Sequence, residues 1–426
     1  MRLFCVPAQK GFRLCVVLTV VLAVLPIAAR AGLRAAVAVR VVTPDPLLPV
    51  SGGLGRPEAV DRKAGELTVR ALVVSDGVTR IAVVSADFLG FPAVLGDRAR
   101  ARVTGIPAEN ILIGATHTHS APDAYAFPDE SGRTGADLNY LRTVADRMGD
   151  AINEALVGLQ PVTLRAATGA AHGKIAWNAY AEALFDPRCN VLQFVDGTGK
   201  TLATLVNYAV HPEVLGDHRG ICSPDLVGPL YDRIAEKGGG VGIFMNGAQG
   251  GMVTADNRGP GGRDIGTWEE CIRIGNALAD EALRIVAGAA EQKDPRLTCR
   301  SRVVKFPVES PLLLAVLKGS PMGYATDADG RVSTRINLVD LGDVRILTIP
   351  GEALPNVGAY LRRKMGGKVS MLFGLTNDAL GYILAKEDWG AFPRYEYISR
   401  TCLGERTGEI LEEECMKLVG TVGSGQ

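Results

Sequence analysis

Short apolar runs recur along this chain, and each stops at a cluster of turn-forming or polar residues. Residues 33–42 form one such run, ending at Thr43-Pro44. Residues 66–75 alternate cleanly (Leu67, Val69, Ala71, Val73), and Asp76-Gly77 turns the chain into a second run at 81–89. Two strand patterns about an Asp-Gly dipeptide predict a hairpin. Further strands are predicted at 110–115, 162–167, 190–195, 201–210, 241–245, 300–308 and 369–375, with a hairpin over 336–349 about Gly342-Asp343. Between them, apolar residues recur at helical spacing. Residues 138–159 place Leu141, Val144, Met148, Ile152 and Leu156 on one face. Helices are also expected over 91–103, 224–236 (proline in the first turn), 267–287, 352–365 and 407–418. Strands alternating with helices predict an α/β protein whose mixed sheets are flanked by helices, in a single large domain.

Composition refines this picture. The chain has 426 residues, 47% of them hydrophobic, with 51 glycines, as expected of a globular protein with many turns. Arg2, Lys10 and Arg13 precede an apolar stretch over 14–28, and Ala29-Arg30-Ala31 offers a small-residue cleavage site. This is the pattern of a secretory signal peptide over 1–31, so a secreted or periplasmic domain over 32–426 is expected. Acidic and basic residues number 46 each, which gives no support for nucleic-acid binding. Six cysteines follow the signal; Cys402 and Cys415 lie closest in sequence and are expected to bridge.

The chemistry gathers where apolar runs stop. The run at 110–115 leads into Thr116-His117-Thr118-His119-Ser120, which holds two of the chain's five histidines. On an extended backbone, positions i and i+2 face the same side, so both imidazoles could enter one cavity. The run at 201–210 ends at His211-Pro212-Glu213, the hairpin at Pro350-Gly351-Glu352, and the last strand runs on to Tyr382. Each has an ordinary alternative: a turn histidine, a carboxylate at a helix N-terminus, a packed core tyrosine. Together they supply residue types that bind a divalent cation, and catalytic zinc needs three protein ligands and an open position. The loop Asn246-Gly247-Ala248-Gln249-Gly250-Gly251 follows another strand, where glycines let backbone N–H groups approach a substrate. It lacks the Walker lysine and the dinucleotide glycine spacing, which argues against nucleotide binding.

The blocks Ala115–Ser120, Asn207–Pro212, Asn246–Gly250, Pro350–Glu352 and Asn377–Tyr382 resemble, in order, those of the neutral (non-lysosomal) ceramidases. The resemblance implies two stacked sheets and one zinc ion held by His117, His211, Glu352 and Tyr382. It implies that His119 assists the tetrahedral intermediate or the leaving group, and that Tyr395 is a second active-site tyrosine. The expected chemistry is attack by zinc-activated water on an N-acyl amide, ceramide-like or other, with the oxyanion met by His119, Tyr395 and the loop of Asn246, Gly247, Gln249 and Gly250. Such a lipid substrate also implies transient contact with a membrane surface. Three features depart from the family. Gly251-Met252-Val253-Thr254 stands where the family carries Asp-Val-Ser-Pro, and Ala179-Tyr180 stands in place of an arginine pair. No counterpart is expected for the C-terminal immunoglobulin-like domain of larger members. The rival readings are an esterase or amidase for a non-sphingolipid substrate, and an inactive zinc-containing binding protein.

Overall fold

The computed structural model describes residues 32–53, 56–129 and 131–420, so the predicted signal segment lies outside the described residues. Eight strands build the larger sheet: β1 (Arg34–Val41), β2 (Thr68–Ser75), β3 (Arg80–Ala86), β4 (Ile111–Ala115), β5 (Gln160–Ala170), β6 (Arg188–Asp196), β7 (Thr201–Tyr208) and β8 (Val241–Asn246). Their spatial order is β8-β7-β6-β5-β1-β2-β3-β4, and a short ninth strand, Glu291–Gln292, pairs with β5. Most neighbours are antiparallel; β3–β4 and β7–β8 are parallel. The Asp76-Gly77 hairpin forms as the alternation requires, with Val73 opposite Ala82.

A second sheet comprises β9 (Leu297–Pro307), β10 (Arg331–Leu341), β11 (Val344–Thr348) and β12 (Val369–Phe373), in that order, with β11–β12 parallel. The two sheets stack. Leu72, Val83, Leu112, Phe194 and Ile243 of the first share one apolar core with Val339, Ile346, Met371 and Phe373 of the second. Strands buried on both faces explain the near-continuous apolar runs.

Helices cover the outer faces. α1 (Ala93–Ala101) and α2 (Leu138–Val157) lie over one half of the larger sheet, and α3 (Val227–Glu236) and α4 (Trp268–Val286) over the other. Asp137 caps α2 by accepting from the Asn139 and Tyr140 N–H groups, and Thr267 caps α4 through the Glu270 N–H. α5 (Pro311–Gly319), α6 (Pro355–Met365), α7 (Glu396–Arg400) and α8 (Thr407–Gly420) complete the fold, with α6 and α8 against the second sheet.

Several expectations change. α3 begins at Val227, so Pro224 precedes it and Pro229 is the proline of its first turn. Glu352 is not at a helix start: it lies in a short strand, Glu352–Ala353, and α6 begins only at Pro355. The helix-dipole account of that carboxylate therefore fails. α5 and α7 had no counterpart in the periodicity; α5 is apolar on most sides and α7 is only five residues long. Cys402 and Cys415 do not bridge: both are buried free thiols, and the Cys402 thiol donates to the Gly404 carbonyl at 3.3 Å.

Candidate metal centre

β4 ends at Ala115, and the backbone then turns sharply: His117 has φ 76°, a left-handed conformation that costs a non-glycine residue energy. The two histidines thus share a cavity by virtue of a turn, not through the i, i+2 alternation of a strand. The turn is held by long-range bonds. The His117 N–H donates to Phe88 O, and the His119 N–H donates to Pro212 O in the loop that carries His211. His211 follows β7, and its N–H donates to Val253 O at 2.8 Å.

Both imidazoles are fixed in one tautomer. His117 Nδ1 lies 2.6 Å from Leu89 O and His211 Nδ1 lies 2.8 Å from Val253 O. A carbonyl can only accept, so each Nδ1 carries the hydrogen and each Nε2 presents a lone pair. Those lone pairs aim at one carboxylate oxygen: Glu352 Oε2 stands 3.3 Å from His117 Nε2 and 3.2 Å from His211 Nε2. Three acceptors converging in a buried place repel one another unless something positive sits among them. Neither His211 Nε2 nor Glu352 Oε2 has a hydrogen-bond partner, and both are buried. Ligands 2.0–2.1 Å from a tetrahedral zinc stand roughly 3.3–3.4 Å apart, close to the separations found here. The donor set fits a divalent cation.

His119 completes a histidine triad with His117 and His211, ligand atoms all within 4.8 Å of one another. Its Nε2 is buried without a partner and its Nδ1 lies 3.7 Å from Glu213 Oε2. Burial, then the neighbouring His117 and His211, push its pKa well down. Tyr382 is the register partner of Glu352 in a parallel two-strand pair with Tyr382–Ile383, and its O–H donates to Met252 Sδ at 3.4 Å.

The remaining predicted site residues lie elsewhere. Tyr395 does not line the cavity; its ring stacks on Tyr180 at 5.7 Å, with Phe392 edge-on at 5.5 Å. Tyr397, two residues on and inside α7, faces the cavity instead, edge-on to Tyr382 at 5.9 Å. The sequence singled out Tyr395 alone; it is the onset of α7 that turns Tyr397 to the cavity. None of Asn246, Gly247, Gln249 and Gly250 lines the cavity. The Gly247 N–H already donates to Tyr208 O and the Gly250 N–H to Ala353 O, so neither is free for an oxyanion. Asn246 is a clamp. Its amide donates to Thr116 O (3.0 Å) and Val210 O (2.7 Å), the residues just before His117 and His211. Thr254, in the position nearest the family serine, pairs with Trp177 in a short ladder and is not part of the lining. Sequence reasoning missed Glu213, although it stands two residues after His211.

The cavity above the triad has a volume of about 320 Å³. Fold and site together define a mixed α/β protein with a buried histidine cluster, compatible with a metal ion, at strand ends, the usual place for chemistry in such folds.

Comparison with known proteins points the same way. No family model matches the chain. Neutral ceramidase of Pseudomonas aeruginosa is 26% identical over 287 residues, which is 61% of this chain and 42% of that protein. The crystal structure of neutral ceramidase from Pseudomonas aeruginosa superposes with a TM-score of 0.76 at 19% identity, covering 92% of this chain and 75% of that one. A ceramidase complexed with C2 gives a TM-score of 0.75 at 18% identity, with the same coverage. The chain is thus similar in sequence to neutral ceramidase over part of that protein's length, and shares its fold.

Proposed function

We propose that the chain is a secreted, zinc-dependent amidohydrolase that cleaves the amide of an N-acyl, ceramide-like lipid. The observation that carries this reading is the convergence of His117 Nε2 and His211 Nε2 on Glu352 Oε2 at 3.3 and 3.2 Å, with no donor between them. The name of the curated relative supports the substrate class. The basic, apolar and Ala29-Arg30-Ala31 pattern of the first residues supports secretion.

His117, His211 and Glu352 would hold the ion, with Tyr382 beside them. Zinc in such a site supplies Lewis acidity and a nucleophilic water at neutral pH. The chain's own groups do the rest. Leu89 O and Val253 O keep both imidazoles in the ligating tautomer. With a divalent ion bound, two neutral imidazoles and one carboxylate would leave the site a net positive charge to draw the amide carbonyl. His119 Nε2, neutral and unpartnered, takes the proton that attacking water sheds and returns it to the amide nitrogen as the C–N bond breaks. Glu213, beside Nδ1, steadies the imidazolium in between. The Tyr397 hydroxyl, at the cavity wall, donates to the developing oxyanion. The products are a carboxylic acid and an amine, and no serine nucleophile is required.

Metal analysis of the purified protein, with His117→Ala and His211→Ala beside it, tests the centre; a panel of ceramides, other N-acyl amides and esters tests the reaction. One zinc per chain, lost in both variants together with amide turnover, is expected. Stoichiometric zinc surviving both changes sinks the proposal.

A further inference from the structure

Past the triad, one wall of the cavity joins aromatic rings to a carboxylate. Tyr125, Phe127 and Tyr324 stand side by side in it, with Phe127 between the two tyrosines at centroid distances of 5.0 and 6.1 Å. The Tyr324 hydroxyl donates to Tyr125 O at 3.0 Å, which ties the outer two rings together. The Tyr125 hydroxyl reaches in against Gly90 and the Ala379 methyl: a Cβ at position 90 would stand 2.1 Å from the one and 2.7 Å from the other. Asp378, beside Ala379 in the chain, lines the same cavity and is only 7% exposed. Its Oδ1 accepts from the Ala93 and Ala379 N–H groups, both at 3.0 Å. The neighbouring Thr334 hydroxyl forms no hydrogen bond, so Oδ2 is left without a donor among the described residues.

The charges here are one-sided. Burial pushes the Asp378 carboxyl up from 3.8 to about 6, which still leaves it an anion at neutral pH. Asp97 and Glu352 also line the cavity, and among the described residues no lysine or arginine does. The Arg100 guanidinium acts on Asp378 from outside the lining, but its N–H groups go to Ile111 O, Asn377 Oδ1 and Asp97 Oδ1. A buried carboxylate oxygen without a donor is costly, and aromatic rings beside such an anion are the surroundings that draw an organic cation. We propose that this wall is a binding site for an ammonium group, and that the amide cut at the triad carries such a cation at a distance from its carbonyl. The ammonium lies against the rings of Tyr125 and Tyr324 with its charge on Asp378 Oδ2. The substrate class rests on the amidase reading above; the cation site does not.

The test uses the full-length, metal-loaded protein in two parts. Choline and 3,3-dimethyl-1-butanol share one shape and differ by one charge, and neither can be hydrolysed. In an NMR titration choline should bind about tenfold tighter. Asp378→Asn, whose side-chain oxygen can still accept from Ala93 and Ala379, and Tyr125→Leu should each bring that ratio towards one, so that one misfolded variant does not decide the matter. Two amide pairs then place the charge on either side of the bond: N-hexanoylethylenediamine against N-hexanoylethanolamine, and 6-aminohexanoyl propylamide against hexanoyl propylamide. In at least one pair the charged member should have kcat/KM about tenfold higher. A choline ratio near one, a ratio unmoved by both variants, or neutral amides cut as well as charged ones in both pairs overturns the inference and leaves the amidase reading intact. A choline preference lost in both variants, with no amide of either pair turned over, removes the amidase reading while the cation site stands.

Discussion

The imidazoles of His117 and His211 stand with ring centroids 4.7 Å apart, although 94 positions of chain separate them. One side chain sets that relationship: the Asn246 amide holds the carbonyls of Thr116 and Val210, one bond upstream of each histidine. Asn246→Ala leaves two buried carbonyls without a donor and should cost about 1–3 kcal/mol of stability. Because the histidines are positioned through it, zinc affinity should also fall about 10–100-fold. Thermal unfolding together with a metal titration separates the two effects, and a stability loss with unchanged zinc affinity would reduce Asn246 to a packing residue.

His119 shares the histidine cluster without touching Glu352, and its free Nε2 suits proton transfer better than ligation. His119→Ala should lower kcat by about 10²–10⁴-fold while the protein keeps its full complement of metal. Plasma emission analysis beside the kinetics decides; loss of metal in this variant makes His119 a ligand.

The two neighbouring tyrosines should behave oppositely. Tyr397→Phe removes a hydroxyl from the cavity wall and should cost about 10²–10³-fold in kcat, whereas Tyr395→Phe keeps the ring that stacks on Tyr180 and should leave kcat near the parent value. Single-turnover measurements on a chromogenic amide would show it, and equal losses in both variants would count against the assignment.

A buried carboxyl behind the His211 loop gives a pH signature. Burial pushes Asp225 up from 3.8 to about 6, although the Leu215 and Leu226 N–H groups donate to it. An acid raised in the folded state contributes stability that is whole below the unfolded value and is lost as pH rises through the folded one. About 3 kcal/mol should therefore disappear between pH 3.8 and about 6. Urea unfolding of the parent and Asp225→Asn across that window reads the difference. A loss undiminished in the variant would show that the proton is not bound there.

Periodicity and turn chemistry are properties of neighbouring residues, and for that reason they were legible in the chain itself. Leu141 through Ile152 announce α2, Asp76-Gly77 announces its hairpin, and the places where His117, His211 and Tyr382 interrupt apolar runs are visible in the order of residues alone. What the chain alone determined was a set of strands whose ends carry polar residues. Which of those residues meet is a matter of bonds between distant segments. Leu89 O and Val253 O choose the tautomers, Asn246 spaces the two histidine loops, and a turn with φ 76° aims His117. The same long-range pairing fills the Gly247 and Gly250 N–H groups, takes Glu352 out of a helix, and turns Tyr397 rather than Tyr395 to the cavity. Tertiary structure alone decided these points, because a side chain's direction at the end of an element depends on partners that sequence proximity does not reveal.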